Sequence, residues 1–162
     1  MDESPTIRLV VSDLDGTLLD QKEEISSEAI ELVRSLSQSG VGFSLISGRP
    51  IPFMDEIART LNVSLPMAAC NGAVIFQGLT VLEEHSFALR SLRKLTEEAH
   101  RRGVTVLYYT LHESFAFEET PWIVSQKGTI REYQIHRPYE NEWDIIRPVK
   151  VSLLFKDKPE AW

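Results

Sequence analysis

The sequence predicts an α/β fold: a three-stranded parallel, Rossmann-like half-core over residues 1–72, then an α+β module over residues 73–162. Three observations carry that expectation. Short, β-branched and nearly continuous apolar runs recur at residues 7–11, 41–46 and 66–70, as strands buried on both faces of a parallel sheet read. The stretches between them carry helix signals and short connections, the pattern of right-handed crossovers between parallel strands. After Gly72 the pattern switches to hairpin and strand-like runs around one clear helix, so a different module begins.

Each element has its local reason. The first strand ends abruptly at Ser12-Asp13-Leu14-Asp15-Gly16. Ser26 or Ser27 can cap a following helix, Glu28 suits its first turn, Ala29, Ile30, Val33 and Leu36 form its apolar stripe, and Gly40 suits the residue after its end. The second strand ends at Ser47-Gly48-Arg49, after which Pro52 occupies a first helical position and Phe53, Ile57 and Leu61 mark a short helix. The third strand ends at Asn71-Gly72. Residues 73–76, the Gln77-Gly78 turn and Val81-Leu82 read as an antiparallel hairpin. Leu92, Leu95, Ala99 and the terminal Gly103 define a helix, and residues 104–109, 114–117 and 149–155 read as strands. Residues 118–147 show no clear pattern. Asp157-Lys158-Pro159-Glu160 carries the signals of a further helix start.

Composition narrows the function. With 43% hydrophobic residues in 162 the chain can bury an ordinary core, and a net charge of −7 gives no field to attract nucleic acid or an anionic membrane. No run approaches the ~20 apolar residues that span a bilayer. The single cysteine, Cys70, cannot form an internal disulfide, and residues 1–5 have no secretory character, so the cytoplasm is the expected compartment. The four histidines show no metal-ligand spacing, and Cys70 on an apolar strand reads as a small buried residue. A small anionic substrate would need a cation, backbone N–H groups or a few placed Arg and Lys side chains.

Those polar groups converge on one edge. In an open parallel sheet ligands bind beyond the carboxyl ends of the strands, and here those ends carry Asp13 and Asp15, Ser47 to Arg49, and Asn71. Residues two apart on a strand point to the same side, so both aspartates can face one cavity while Leu14 enters the core. Two close carboxylates suit a hard metal ion, or a division between nucleophile and acid–base roles. Taken alone, the pair also reads as an Asp- and Gly-rich solvated turn.

Asp13-Leu14-Asp15-Gly16-Thr17-Leu18-Leu19, Leu45-Ile46-Ser47-Gly48-Arg49-Pro50 and Asn71-Gly72-Ala73 together resemble the Cof-type branch of the haloacid dehalogenase superfamily, across nearly the whole chain. The resemblance implies a phosphatase acting on small phosphorylated metabolites such as sugar phosphates through an aspartyl-phosphate. Asp13 is then the nucleophile and Asp15 the general acid and base. Asp13 and Asp15 bind Mg²⁺, the latter through its main-chain carbonyl. Gly16, Thr17, Ser47, Gly48, Arg49 and Asn71 contact phosphate or substrate. It further implies that residues 73–162 are a subclass IIB cap, which selects the leaving group.

The family pattern also includes a later Lys and an acidic Gly-Asp motif, neither recognisable here. Lys150 precedes an apolar strand-like run and reads as a cap residue. The chain is therefore expected to be an amino-terminal portion with an incomplete cap, inactive alone, and prone to self-association or to complementation by a missing carboxyl-terminal half. Its first strand should present an open apolar edge. The competing readings are a phosphomannomutase-like phosphotransferase, a non-catalytic remnant binding a phosphorylated ligand or partner chain, and more distantly an Asp-x-Asp glycosyl transferase.

Overall fold

In the computed structural model, which describes residues 7–129 and 131–156, the chain divides into two units, residues 1–84 and 85–162. The first contains β1 (Leu9–Ser12), α1 (Ser27–Gln38), β2 (Gly42–Leu45), α2 (Asp55–Thr60), β3 (Met67–Ala69), β4 (Val74–Gln77) and β5 (Thr80–Glu84). β1 and β2 are parallel, with Leu9 opposite Gly42 and Ser12 opposite Leu45. β3 joins β2 in parallel through a single bridge, Ile46 to Ala68, where the Ser47 N–H donates to the Ala68 carbonyl at 2.9 Å. The expected three parallel strands are thus present, in the order β1-β2-β3.

Local chemistry sets the helix ends. The hydroxyl of Ser26, not Ser27, accepts from the Ala29 N–H at 3.1 Å, satisfying an otherwise orphan donor of α1. At the other end Gly40 takes φ +77° and the Val41 N–H returns to the Leu36 carbonyl at 3.0 Å. The short helix expected near Phe53 begins as a 3₁₀ turn over Ile51–Phe53, with Pro52 inside it, and α2 follows.

Two expectations need correcting in this unit. β2 is buried as expected, but Leu9 and Val11 of β1 are each 52% exposed, because among the described residues β1 is paired only on its β2 side. The hairpin read as the start of a different module instead continues β3: β4 pairs antiparallel with β3, Met67 opposite Phe76 and Ala69 opposite Val74, and β5 pairs with β4. That main-chain continuity is why the compact boundary falls after Glu84 rather than after Gly72.

The second unit contains α3 (Arg93–Arg101), β6 (Thr105–Tyr109), β7 (Ser114–Ala116), α4 (Pro121–Ser125), β8 (Gln134–Ile135) and β9 (Lys150–Leu154). Its sheet runs β8-β7-β6-β9, antiparallel except for the β7–β8 pair. Val104, Val106, Tyr108, Leu89, Ala99, Phe117 and Trp143 form one buried cluster. Tyr108 and Tyr109 are core residues, Phe115 stacks on Tyr108, and His112 is exposed. Lys150 opens β9, opposite Tyr109. The helix start expected at residues 157–160 lies outside the described residues. Among the described residues no helix is long and apolar enough to cross a membrane.

Candidate active site

The carboxyl ends of the parallel strands are tied together by their own backbone. The Ile46 N–H donates to the Ser12 carbonyl at 2.9 Å, so Asp13 leaves β1 beside the point where Ser47 leaves β2. The Asn71 N–H donates to the Ser47 carbonyl at 3.0 Å and the Cys70 N–H to the Arg49 carbonyl at 2.9 Å, which fastens the turn after β3 to the turn after β2. Cys70, Asn71 and Gly72 all take positive φ, at 52°, 60° and 88°. Only glycine does so without steric cost, so these two hydrogen bonds hold a strained turn in place.

Asp13 and Asp15 are exposed and Leu14 is fully buried, the alternation that a strand end dictates. Beyond them the chain reverses at Gly16, φ +76°, and the N–H groups of Thr17, Leu18 and Leu19 all reach the Leu14 carbonyl, at 3.2, 3.0 and 2.9 Å. Thr17 therefore closes the turn through its backbone. Ser47 is 3% exposed, and its hydroxyl oxygen accepts from the Arg49 N–H at 3.1 Å, which leaves its O–H hydrogen to donate elsewhere. A Cβ at Gly48 would stand 2.7 Å from Asn71 Oδ1, so any side chain there would have to displace the Asn71 carboxamide.

Arg49 has a definite position. It is 6% exposed, and its guanidinium forks the Asp15 carboxylate, Nε to Oδ2 at 3.0 Å and Nη2 to Oδ1 at 2.5 Å. Nη2 also stands 3.1 Å from Glu23 Oε2. Hydrogen bonding to Asp15 pushes the Arg49 pKa further up against the opposing effect of burial, so this positive charge is permanent. Glu23 was missed by sequence reasoning, because in Lys22-Glu23-Glu24 it has no motif and looks like one more charge on a solvated loop.

The donor chemistry suits a hard divalent cation, since an exposed Asp13 carboxylate and the Asp15 carbonyl are both oxygen ligands. The number of ligands is small: among the described residues no group of three or more His, Cys, Asp or Glu side chains is gathered to hold a metal ion.

Comparisons with known proteins point to one family. The model of a family described as haloacid dehalogenase-like hydrolase matches residues 10–160. A phosphoglycolate phosphatase of Methanospirillum hungatei is 29% identical over 114 residues, covering 68% of this chain and 49% of the relative. One from Thermoplasma acidophilum is 34% identical over 96 residues, covering 59% and 42%. The chain thus spans about half the length of the curated relatives it matches. A solved structure of a hypothetical protein from Geobacillus kaustophilus superposes with a TM-score of 0.67 at 28% identity, covering 85% of this chain and 54% of that one.

Proposed function

Because this chain belongs to the haloacid dehalogenase-like hydrolase family, in its Cof-type branch, we propose that its first unit carries the nucleophile half of a phosphomonoesterase site. The observation that carries the reading is the gathering of Asp13, Ser47, Asn71 and an Arg49-held Asp15 at one edge of a parallel sheet. An Asp13 carboxylate oxygen attacks phosphorus and the bond to the leaving alkoxide breaks, with Asp15 donating the proton that the alkoxide takes. Asp15 then removes a proton from water, whose oxygen attacks the same phosphorus and frees the Asp13 carboxylate. The Ser47 hydroxyl and the N–H groups near Gly16 and Gly48 donate to the phosphoryl oxygens. Asp13 and the Asp15 carbonyl would hold Mg²⁺, which when bound supplies positive charge against the phosphoryl oxygens.

Substrates of the class that the relatives' names print, phosphoglycolate and other small phosphate monoesters, suit a site of this kind. The second unit is read as a cap that selects among them. The sparse metal-ligand set favours a second reading, binding of a phosphorylated ligand without turnover.

A single-event trap separates the two. The chain is incubated with Mg²⁺ and acetyl phosphate and reduced with borohydride, which converts an aspartyl-phosphate to homoserine. Homoserine at position 13, absent from Asp13→Asn, is the expected result. Calorimetric binding of a phosphate ester with no label at position 13 would establish the binding reading instead.

A further inference from the structure

Among the described residues Arg49 is the one charged side chain that is buried, and two carboxylates converge on it. The second, Glu23, is presented by a built loop. Asp20 Oδ1 accepts from the N–H groups of Lys22 and Glu24 at 2.8 and 3.0 Å, the Asp20 N–H donates to the Glu24 carbonyl at 3.0 Å, and the Glu23 N–H donates to the Asp20 carbonyl at 3.0 Å. That loop holds Glu23 at φ +63°, a left-handed conformation that a residue with a Cβ adopts only at a cost. The side chain that leaves this loop ends 3.1 Å from one nitrogen of Arg49.

The nitrogen is Nη2, which already donates to Asp15 Oδ1. It carries two hydrogens. A fork to a single carboxylate can still rock with that carboxylate, and Asp15 is 53% exposed, so nothing in the pair alone fixes its direction. A second anion at Nη2, the Glu23 carboxylate at 3.1 Å, restricts that motion. We propose that Glu23 is a positioning residue: its carboxylate fixes the plane of the Arg49 guanidinium, and through it the direction in which Asp15 presents its own carboxylate to the reaction edge. The functional meaning rests on the phosphomonoesterase reading, while the mechanical link does not.

The link can be read without substrate, by ¹⁵N NMR of the Arg49 guanidinium in the full chain. In the native protein the two Nη groups should be resolved and exchange slowly, since rotation about Cζ breaks charge-assisted hydrogen bonds. Glu23→Gln keeps a carbonyl acceptor but removes the charge, and should speed that exchange by about fivefold, the order expected when a charge-assisted bond becomes a neutral one. Glu23→Gly suits the left-handed backbone and removes the whole side chain with its acceptor, and should speed the exchange by about tenfold. Glu23→Asp should recover part of the native behaviour. Asp13→Asn, which tests the phosphatase reading, should leave the Arg49 signals unchanged. Native exchange in both Glu23→Gln and Glu23→Gly, with loss in Asp15→Asn, would overturn the role of Glu23 and leave the phosphatase reading standing.

Discussion

A methyl group at position 48 would sit 2.7 Å from Asn71 Oδ1, well inside contact distance, and Asn71 is itself held at φ 60° by its backbone bond to Ser47. The atom met is the end of the Asn71 side chain, which must turn to another rotamer while the backbone bond that joins the two turns can stay. Gly48→Ala should therefore cost about 0.5–1.5 kcal/mol, the range for a side chain displaced from its preferred rotamer. Asn71→Gly removes the obstructing side chain and suits the left-handed backbone, so the double variant should regain most of that loss. Urea unfolding of the four proteins in the cycle measures the coupling, and additivity of the two changes would show that the contact is not the reason for Gly48. At this scale the sequence was informative wherever a residue belongs to a strand-end motif: Asp13, Asp15, Ser47, Gly48, Arg49 and Asn71 all lie on the expected edge. It was uninformative about what those residues touch. The Arg49 Nε and Nη2 groups engage Asp15 and Glu23, and neither pairing could be read from the motif. No spacing rule connects position 49 to position 23, because the link runs through a loop that only the folded chain defines.

Elements long enough to show a period were legible, and the short ones were not. The apolar stripe of α1 and the run of β6 announce themselves, whereas within residues 118–147 α4 has five residues and β8 has two, too few for either period to register. The capping signal of α4 is nevertheless written in the chain, Thr120 accepting from the Ile123 N–H at 3.4 Å with Pro121 at the first turn. The rest of that segment is organised by side chains distant in sequence. Trp143 is 2% exposed, packs edge-on against Phe117, and lies beneath the Arg93 guanidinium at 5.2 Å. Around it Arg93 pairs with Glu140 through two 2.5 Å bonds and Arg90 with Asp144 at 2.5 Å. Trp143→Ala should cost about 3–5 kcal/mol in chemical unfolding of the second unit, as for other buried aromatic truncations. The ion pairs should contribute far less, being solvent-exposed, but with a definite pH signature. Hydrogen bonds from Arg93 and Arg90 hold the Glu140 and Asp144 carboxyls below their ordinary range. A carboxylate whose pKa is lowered by folding stabilises above its unfolded pKa, so the contribution is complete above about pH 5 and fades as pH falls through the lowered folded-state values. The difference in thermal midpoint between the native chain and Arg93→Met should therefore have a part that shrinks from pH 7 to pH 3. A difference independent of pH would mean that Arg93 acts only by covering Trp143.

For the whole molecule, the same physics that makes the first unit readable makes it vulnerable. Leu9 and Val11 are each 52% exposed on a strand that, among the described residues, is paired on one side only, and Ile7 just before it is 69% exposed. Such an edge offers unpaired N–H and C=O groups beside β-branched apolar side chains, which is a template for another strand. The 162-residue chain should therefore associate as its concentration rises, and Val11→Lys should shift that association to higher concentration in sedimentation velocity. Catalysis raises a parallel question about charge. On the proposed mechanism, phosphoryl transfer would gather negative charge on Asp13, the phosphoryl oxygens and the leaving oxygen, and the rate would depend on preorganised groups that offset it. In the first unit Arg49, the buried cation, directs Nε and Nη2 to Asp15 and Glu23, and the metal-ligand set among the described residues is sparse. Losing even one electrostatic stabiliser typically costs about a hundredfold or more in kcat. The purified chain with Mg²⁺ should accordingly hydrolyse p-nitrophenyl phosphate no faster than a mock preparation, although a single phosphorylation of Asp13 remains within reach of a trap read over hours. Turnover above mock that disappears in Asp13→Ala would reject this account.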